Sequence, residues 1–304
     1  MASSRLKTAV GPLELSSVLI AASGTVGSVW EWADVADVSV YGAAVAKSVS
    51  PEPWTGRPAP RMAPVRTGML NGIGIQNPGI TAWCDAMAGR ISRLDVPVWG
   101  SAVAEDAAGF GVVAKNLQEA GVTAVEANLS CPNLEDGNMF SVNIEASRAV
   151  MAATRSAVSV PLGAKLSPNT PDIVGTARAC RDAGADFVVL TNTALGFGVG
   201  INDRRPLLSG GVGGYSGPGL KPISLRCVYE VSTAMPDLPI VGCGGVSTGA
   251  DVAEYLLAGA SAVAMGTVHL SEPKAGKRVA REFIGVLDAL GASSARDLIG
   301  SMRT

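Results

Sequence analysis

A thiol and two carboxamides lie close together in the segment Ala127-Asn128-Leu129-Ser130-Cys131-Pro132-Asn133. The apolar run before the thiol predicts a strand, and Pro132 prevents a helix or a strand from continuing. Cys131 is therefore expected at the C-terminal end of a strand, where it can reach a ligand. Free cysteines are more often buried apolar residues, but the flanking Asn128 and Asn133 favour chemistry here. A thiol with a pKa of about 8.5 could act as a general base near neutral pH.

A regular alternation of strands and helices positions this segment. Two early strands are predicted, one ending at Gly24 and one over residues 38–46. Before them, residues 6–20 alternate weakly around Gly11-Pro12 and predict a short hairpin that could close one end of the fold. Later apolar strands, separated by segments of helical periodicity, are predicted over residues 97–103, 124–129, 161–166, 187–192, 239–242 and 262–265.

The helix ends carry the expected capping residues. Thr170 and Thr248 are predicted N-caps, and Gly121, Gly184 and Gly259 each stand where a left-handed C-cap is needed before a strand. Eight strand-helix units without an internal linker predict an α/β fold, a (β/α)8 TIM barrel that forms a single domain over residues 1–304. A doubly wound open sheet is the alternative.

Two predicted connections are too long for simple βα loops. Residues 51–79 are rich in proline and glycine and show few helix signals. Residues 196–219 hold nine glycines and the basic pair Arg204-Arg205, and predict a mobile lid or a docking surface. Both are expected to lie as long βα loops over the active site.

The composition points to a small-molecule ligand. The net charge is −2 and no run of lysine and arginine exceeds two residues, so neither nucleic acid nor a membrane surface is an expected partner. Five scattered cysteines and one histidine predict no zinc site, no iron-sulfur cluster and no other metal in this chain. No apolar signal segment or stretch of about 18 apolar residues is present, so a cytoplasmic protein is expected.

The active site of a TIM barrel lies at the C-terminal ends of its strands. Gly244-Gly245 and Gly266-Thr267 follow the last two predicted strands, where barrels commonly bind a phosphate. Lys47 and Lys165 favour an anionic ligand over structural ion pairs, because an unpaired buried ammonium is costly. The lone His269 is expected to be a surface or packing residue. The other candidates that follow strands are Ser23, Ser101, Asn128 with Cys131, and Asn192 with Thr193.

These motifs resemble one family over essentially the whole chain, the class 1 dihydroorotate dehydrogenases, and most closely class 1B. The resemblance implies a TIM barrel containing FMN that oxidises dihydroorotate to orotate in de novo pyrimidine biosynthesis. Such a reaction needs a base and a hydride acceptor, and protein side chains cannot accept hydride. The motifs are Ala22-Ser23-Gly24, Ala46-Lys47-Ser48, residues 68–79, 128–133 and 165–169, Asn192-Thr193, Ser216-Gly217-Pro218, Gly244-Gly245-Val246 and Gly266-Thr267.

The resemblance also implies a role for individual residues, with Cys131 as the general base. The family usually has asparagine at the position of Ser101, which is a departure. Lys165 would face the flavin ring. The substrate is expected to contact Lys47, Asn71, Gly72, Ile73, Gly74, Ile75, Asn128, Asn133, Asn192 and Thr193. FMN is expected to contact Ser23, Lys47, Ser48, Ser101, Asn128, Lys165, Thr191, Gly217, Gly244, Gly245, Gly266 and Thr267, the last four at its phosphate.

The prediction of the electron acceptor depends on features that the chain lacks. It has no dinucleotide fingerprint, cysteine cluster or membrane segment, so another component must reoxidise the flavin. The class 1B resemblance implies a homodimer joined to an electron-transfer subunit with FAD and an iron-sulfur cluster, a heterotetramer with NAD as final acceptor. Three alternatives stay open: a class 1A-type enzyme that uses fumarate, a pyrimidine oxidoreductase related to dihydropyrimidine dehydrogenase, and a barrel that binds a phosphorylated ligand without turnover.

Overall fold

Eight parallel strands close into a barrel in the computed structural model, which describes residues 4–130 and 140–303. Helices cover the barrel outside, so each strand is buried on both faces and reads as an apolar run. The predicted TIM barrel is confirmed, and the open sheet is wrong. In pairing order the strands are β3 (Leu19–Ala21), β4 (Ala43–Val45), β7 (Val98–Ala102), β8 (Ala124–Asn128), β9 (Leu162–Leu166), β10 (Phe187–Leu190), β15 (Ile240–Cys243) and β16 (Ala262–Met265), which pairs again with β3.

The predicted N-terminal hairpin is also present. It consists of β1 (Thr8–Val10) and β2 (Leu13–Leu15), paired antiparallel. Val10 and Leu15 pack in the same interior cluster as Phe187, the first residue of β10. The hairpin therefore closes the N-terminal end of the barrel, opposite the strand ends where the candidate residues lie.

The pleat of each strand divides its residues between two layers. Along β8, Val125 and Ala127 belong to the outer apolar cluster between barrel and helices. Glu126 and Asn128 alternate with them and face the barrel interior. Side chains two residues apart on a strand are therefore stacked towards the same opening of the barrel.

The helix caps largely follow the sequence. Thr248 caps its helix in a reciprocal capping box with Asp251, and Gly121, Gly184 and Gly259 adopt the positive φ expected of C-caps. No helix in the described parts of the chain is long and apolar enough to cross a membrane. The helices are α1 (Trp30–Ala33), α2 (Ile80–Met87), α3 (Ala107–Glu119), α4 (Ile144–Ala157), α5 (Ile173–Asp182), α6 (Lys221–Ala234), α7 (Gly249–Leu257), α8 (Val268–Ser271) and α9 (Ala275–Leu290).

Two predicted boundaries are wrong. The strand expected over residues 38–46 is limited to β4, because Asp37 caps a short 3₁₀ helix, Val38–Val40, with a hydrogen bond of 3.1 Å from a backbone N–H. Thr170 does not cap α5. Asp172 does, since its carboxylate accepts the backbone N–H three residues on at 2.7 Å.

The two long connections form antiparallel sheets, which the loop prediction missed. Glycine-rich strands lack an alternating side-chain pattern, yet backbone pairing requires only N–H and C=O groups. We call the six strands the insertion sheets. Four pair in the order β11 (Ala194–Gly196), β14 (Gly213–Ser216), β6 (Gly68–Asn71) and β5 (Met62–Val65), and β12 (Val199–Gly200) pairs with β13 (Arg205–Pro206).

Candidate active site

A cavity of about 610 Å³ lies between the C-terminal ends of the barrel strands and the insertion sheets. Parallel strands bring their C-terminal residues to one opening, so residues far apart in sequence meet there. The cavity therefore unites most of the predicted site. The predicted residues that line it are Ser23, Lys47, Ser48, Asn71, Ile73, Ile75, Asn128, Lys165, Thr191, Asn192, Thr193, Gly217, Gly244, Gly245, Gly266 and Thr267.

A few predicted residues lie elsewhere. Gly72, Gly74 and Ser101 are not among the residues that line the cavity. Ser101 is fully buried below it, with its Oγ 2.9 Å from Ser48 Oγ, because an inward-facing residue of β7 lies one step deeper than the strand end. Cys131 and Asn133 lie outside the described residues.

Two amides and a hydroxyl form what we call the carboxamide cluster: Asn128, Ser130 and Asn192. Asn192 Nδ2 donates to Ser130 Oγ at 2.9 Å and to Asn128 Oδ1 at 3.3 Å. Asn192 Oδ1 accepts the Thr193 backbone N–H at 2.8 Å, and Asn128 Nδ2 donates to Ser48 Oγ at 3.1 Å. These bonds fix both amide planes before any ligand arrives. On the insertion sheets, the Asn71 amide is similarly held by a carbonyl of β14 at 3.2 Å.

Another part of the cavity wall is built from backbone. We call Gly217, Gly244, Gly245 and Gly266 the glycine wall. The first three have positive φ, of +100°, +139° and +69°. A Cβ on Gly245 would lie 2.8 Å from Lys221 Cβ and 2.9 Å from Gly217 O, so a larger residue does not fit.

The glycine wall leaves hydrogen-bond donors for a ligand. The backbone N–H groups of Gly245, Gly266 and Thr267 donate to no acceptor among the described residues. Ser216 Oγ is buried against the cavity and likewise has no partner in the described chain. Converging backbone N–H groups are suited to an oxyanion such as phosphate.

Lys165 supplies a positive charge from the floor of the cavity. It is 6% exposed, and its Nζ lies 3.5 Å from Glu126 Oε1. Burial disfavours the charged form, whereas the Glu126 carboxylate and Cys243 favour it, and the net effect raises the pKa of Lys165. Lys165 thus has the ion pair that the sequence left as the less favoured reading, and its side chain still faces the cavity.

The sequence reasoning missed several cavity residues. Cys243 follows an inward-facing residue by two positions, so strand alternation could have found it. Glu126, which lies beneath the cavity and does not line it, is a charge in the middle of an apolar strand and could have been found in the same way. Burial raises the pKa of the Cys243 thiol, which keeps it protonated. Met62 and Ser216 come from the insertion sheets, whose pairing no sequence pattern indicated.

His269 is a packing residue, and this prediction is confirmed. It is 2% exposed, its Nε2 lies 2.9 Å from the Tyr41 hydroxyl, and its Nδ1 lies 3.3 Å from Thr25 Oγ1. The ring also packs on Trp32 at 4.9 Å between centroids. Burial lowers the pKa of His269 to about 4, so the ring is neutral in the folded protein near neutral pH.

Comparisons with known proteins agree with this architecture. A family model described as dihydroorotate dehydrogenase matches residues 5–287. The catalytic subunit of dihydroorotate dehydrogenase B (NAD(+)) from Geobacter sp. strain M21 is 38% identical over 98% of both chains. The proteins of the same name from Listeria monocytogenes and Maridesulfovibrio salexigens are 38% and 40% identical, over 97% and 96% of both chains.

A solved structure supports the fold independently. The crystal structure of DHODH from Eimeria tenella in complex with ferulenol superposes with a TM-score of 0.84, covering 99% of this chain and 89% of that chain. At 20% identity, this likeness speaks to the fold alone.

Barrel, cavity and matched family together define a flavin-dependent oxidoreductase whose candidate site lies at the C-terminal ends of the strands. Within that class, the chain belongs to the dihydroorotate dehydrogenase family. The resemblance to class 1B is confirmed, since the three relatives are named as the catalytic subunit of the B-type, NAD(+)-linked enzyme.

Proposed function

We propose that this chain oxidises dihydroorotate to orotate, with FMN as hydride acceptor and Cys131 as general base, in pyrimidine biosynthesis. One observation carries the proposal: a single cavity joins the carboxamide cluster, the glycine wall and the charged Lys165. Amides suit the edge of a pyrimidine ring, and free backbone N–H groups suit a phosphate. Neither a purely structural barrel nor a simple phosphate site needs both.

The residues fit a phosphorylated flavin. The N–H groups of Gly245, Gly266 and Thr267 would hold the phosphate, and Ser216 Oγ offers a further unpaired polar group. Lys165 would face the ring from the cavity floor, where its charge favours electron-rich forms of the ring. When bound, FMN supplies the hydride acceptor that no side chain can provide.

The carboxamide cluster would bind the substrate. Each carboxamide carries an NH2 group that donates and a carbonyl oxygen that accepts, which matches the alternating C=O and N–H groups of a dihydropyrimidine edge. Because Asn128 and Asn192 already hold each other, little side-chain entropy is lost on binding. Lys47 lines the same cavity and would attract the substrate carboxylate. A ring without a carboxylate would lose that contact.

The proposed general base, Cys131, comes directly after the carboxamide cluster in the sequence. Ser130 is fully buried and hydrogen-bonded to Asn192, so the chain enters the catalytic segment from a fixed point one residue before Cys131. Cys131 would remove the acidic proton beside the ring carbonyl.

Flavin reduction by dihydroorotate tests the proposal. The purified protein should be yellow, release FMN on denaturation and bleach anaerobically with dihydroorotate. Cys131→Ala should slow bleaching in stopped-flow by about 100-fold or more, the usual worth of a positioned base, and retain orotate binding. The matched control is Cys84→Ala, a half-buried cysteine away from the cavity. Release of FAD, or bleaching of the Cys131 variant at the wild-type rate, would refute the assignment.

The electron acceptor is the second part of the proposal. We propose a partner subunit that carries FAD and an iron-sulfur cluster and reduces NAD, as the B-type names of the relatives support. The isolated chain should oxidise dihydroorotate with an artificial dye but not with NAD, and added partner should restore NAD reduction. Turnover with fumarate at the rate seen with the dye would instead place the chain with the fumarate-using enzymes.

We also propose that the chain forms a homodimer within a heterotetramer. It would be one domain over residues 1–304 and would be located in the cytoplasm. The insertion sheets and the segments that connect their strands support an interface between copies, because they expose a group of apolar side chains. Ile201→Asp should lower the sedimentation coefficient to that of a monomer, whereas Val112→Asp, on the exposed face of α3, should not. A monomeric wild type would contradict the dimer. The exposed apolar residues are Leu195, Phe197, Val199, Ile201 and Val212.

A further inference from the structure

A buried carboxylate lies in the barrel interior without an assigned role. Glu126 is 2% exposed, and its Oε1 forms an ion pair of 3.5 Å with Lys165 Nζ but meets the geometry of a hydrogen bond with none of the described residues. A buried ionised carboxylate costs free energy unless it is paired, and an apolar residue fills a barrel more favourably. A role confined to packing therefore does not account for a charge at this position.

The strand register places Glu126 directly beneath the cavity floor. Asn128 pairs with Lys165 and Glu126 pairs with Gly163 across β8 and β9. Glu126 is thus one inward-facing layer, about 6.6 Å, further from the cavity than Lys165. Gly163 accommodates the Phe187 ring, with which a Cβ at this position would collide. Lys165 is held between the carboxylate below and the cavity above.

We propose that Glu126 is a positioning residue: it holds the Lys165 ammonium at the cavity floor and so sets the positive charge that a bound flavin ring meets. The inference rests on the proposed function, because it takes FMN as the ligand above Lys165. Glu126 itself does not line the cavity, so it acts through Lys165 alone.

The surroundings of Lys165 explain why the carboxylate is needed. The titratable groups that face it among the described residues are Glu126 on β8 and Cys243 on β15, while β10 contributes the apolar Val189. Burial favours the neutral amine, and the charge of Glu126 opposes that effect. Without Glu126, Lys165 would lose its proton as the pH rises through a lowered pKa.

The midpoint potential of bound FMN reports this charge, since a nearby cation favours the reduced, more anionic ring. In Glu126→Gln holoprotein, the equilibrium constant for two-electron reduction should fall by about tenfold or more, a shift of about 30 mV to lower potential. The difference from wild type should shrink at low pH, where Lys165 regains its proton, and grow at high pH. A wild-type potential in the Glu126 variant at every pH would overturn the proposal.

Two further variants isolate the route through Lys165. Lys165→Met should lower the potential at every pH, and adding Glu126→Gln to it should cause no further change, because the carboxylate has no ammonium left to hold. This pair keeps the test valid if Glu126→Gln alone misfolds. A Lys165→Met potential equal to wild type, or a further shift in the double variant, would contradict the proposal. Identifying the chromophore released by wild type comes first, and absence of FMN there would refute the proposed function instead.

Discussion

The two sides of the cavity achieve rigidity by opposite means. In the carboxamide cluster, side chains hold one another: Asn192 donates to both Asn128 and Ser130. In the glycine wall, the absence of side chains lets backbone segments approach, and Gly245 packs within van der Waals reach of Lys221. One side is therefore vulnerable to losing atoms and the other to gaining them. Substitutions can separate substrate binding from cofactor binding on this basis.

Adding atoms to the glycine wall should have the largest effect. Gly245→Asp would place a Cβ against Lys221 and a carboxylate where a phosphate is expected, so FMN affinity should fall by about 100-fold or more. Equilibrium titration of the apoprotein with FMN, monitored by flavin fluorescence, measures this affinity.

The control for this change is Gly121→Asp. Gly121 also has positive φ, of +94°, but a Cβ there meets nothing within 4 Å. The backbone strain is shared and the cavity is untouched, so FMN affinity should stay at the wild-type value. Equal losses in both variants would mean that strain, and not the cavity wall, explains the result.

Removing atoms from the carboxamide cluster should have an intermediate effect. Asn192→Ala removes the donor to Ser130 Oγ and the acceptor of the Thr193 N–H, and it removes the proposed substrate contact. The Kd of orotate should rise by about 10- to 100-fold, since a lost buried hydrogen bond costs about 1–3 kcal/mol. Orotate titration of the flavin spectrum measures it, and FMN should stay bound.

Asn116→Ala is the matched control, because that amide bonds only within the exposed surface of α3. This variant should change neither the affinity for orotate nor the affinity for FMN. Loss of FMN together with orotate in the Asn192 variant would show that the two sides of the cavity are coupled, which would break the distinction between them.

The smallest effect concerns the packing behind the glycine wall, at His269. Its folded pKa of about 4 lies below the usual 6.5, so the stability gained from the neutral ring is present above pH 6.5 and lost as the pH falls towards 4. Between about pH 7.5 and 5.5 this histidine should lower the free energy of unfolding by about 1.4 kcal/mol.

Urea unfolding at both pH values measures the loss. His269 is the only histidine in the chain, so His269→Gln should flatten the pH dependence by that amount. An unchanged pH dependence in this variant would show that the pKa of His269 is not lowered by folding, which would contradict the prediction.

Local sequence predicted much of this molecule. The period of the apolar runs, the C-cap glycines such as Gly121 and the cap at Thr248 each depend on neighbours within a few residues, and each was confirmed. The one cap that failed lies between two competing polar residues: Asp172 accepts the Gly175 N–H and caps the helix, whereas Thr170 accepts the Asp172 N–H. Such competition is settled by the exact path of the chain.

The sequence by itself determined the barrel and the set of polar residues at its strand ends. Strand periodicity and the residues that follow each strand are local features of the sequence, and parallel pairing brings those residues to one opening of the barrel. Tertiary structure alone decided the insertion sheets and the Glu126–Lys165 ion pair. Sheet pairing between residues 62–71 and 194–216 uses backbone groups that every residue has. The ion pair depends on the register of two strands, and a shift of one residue would turn Glu126 to the other face.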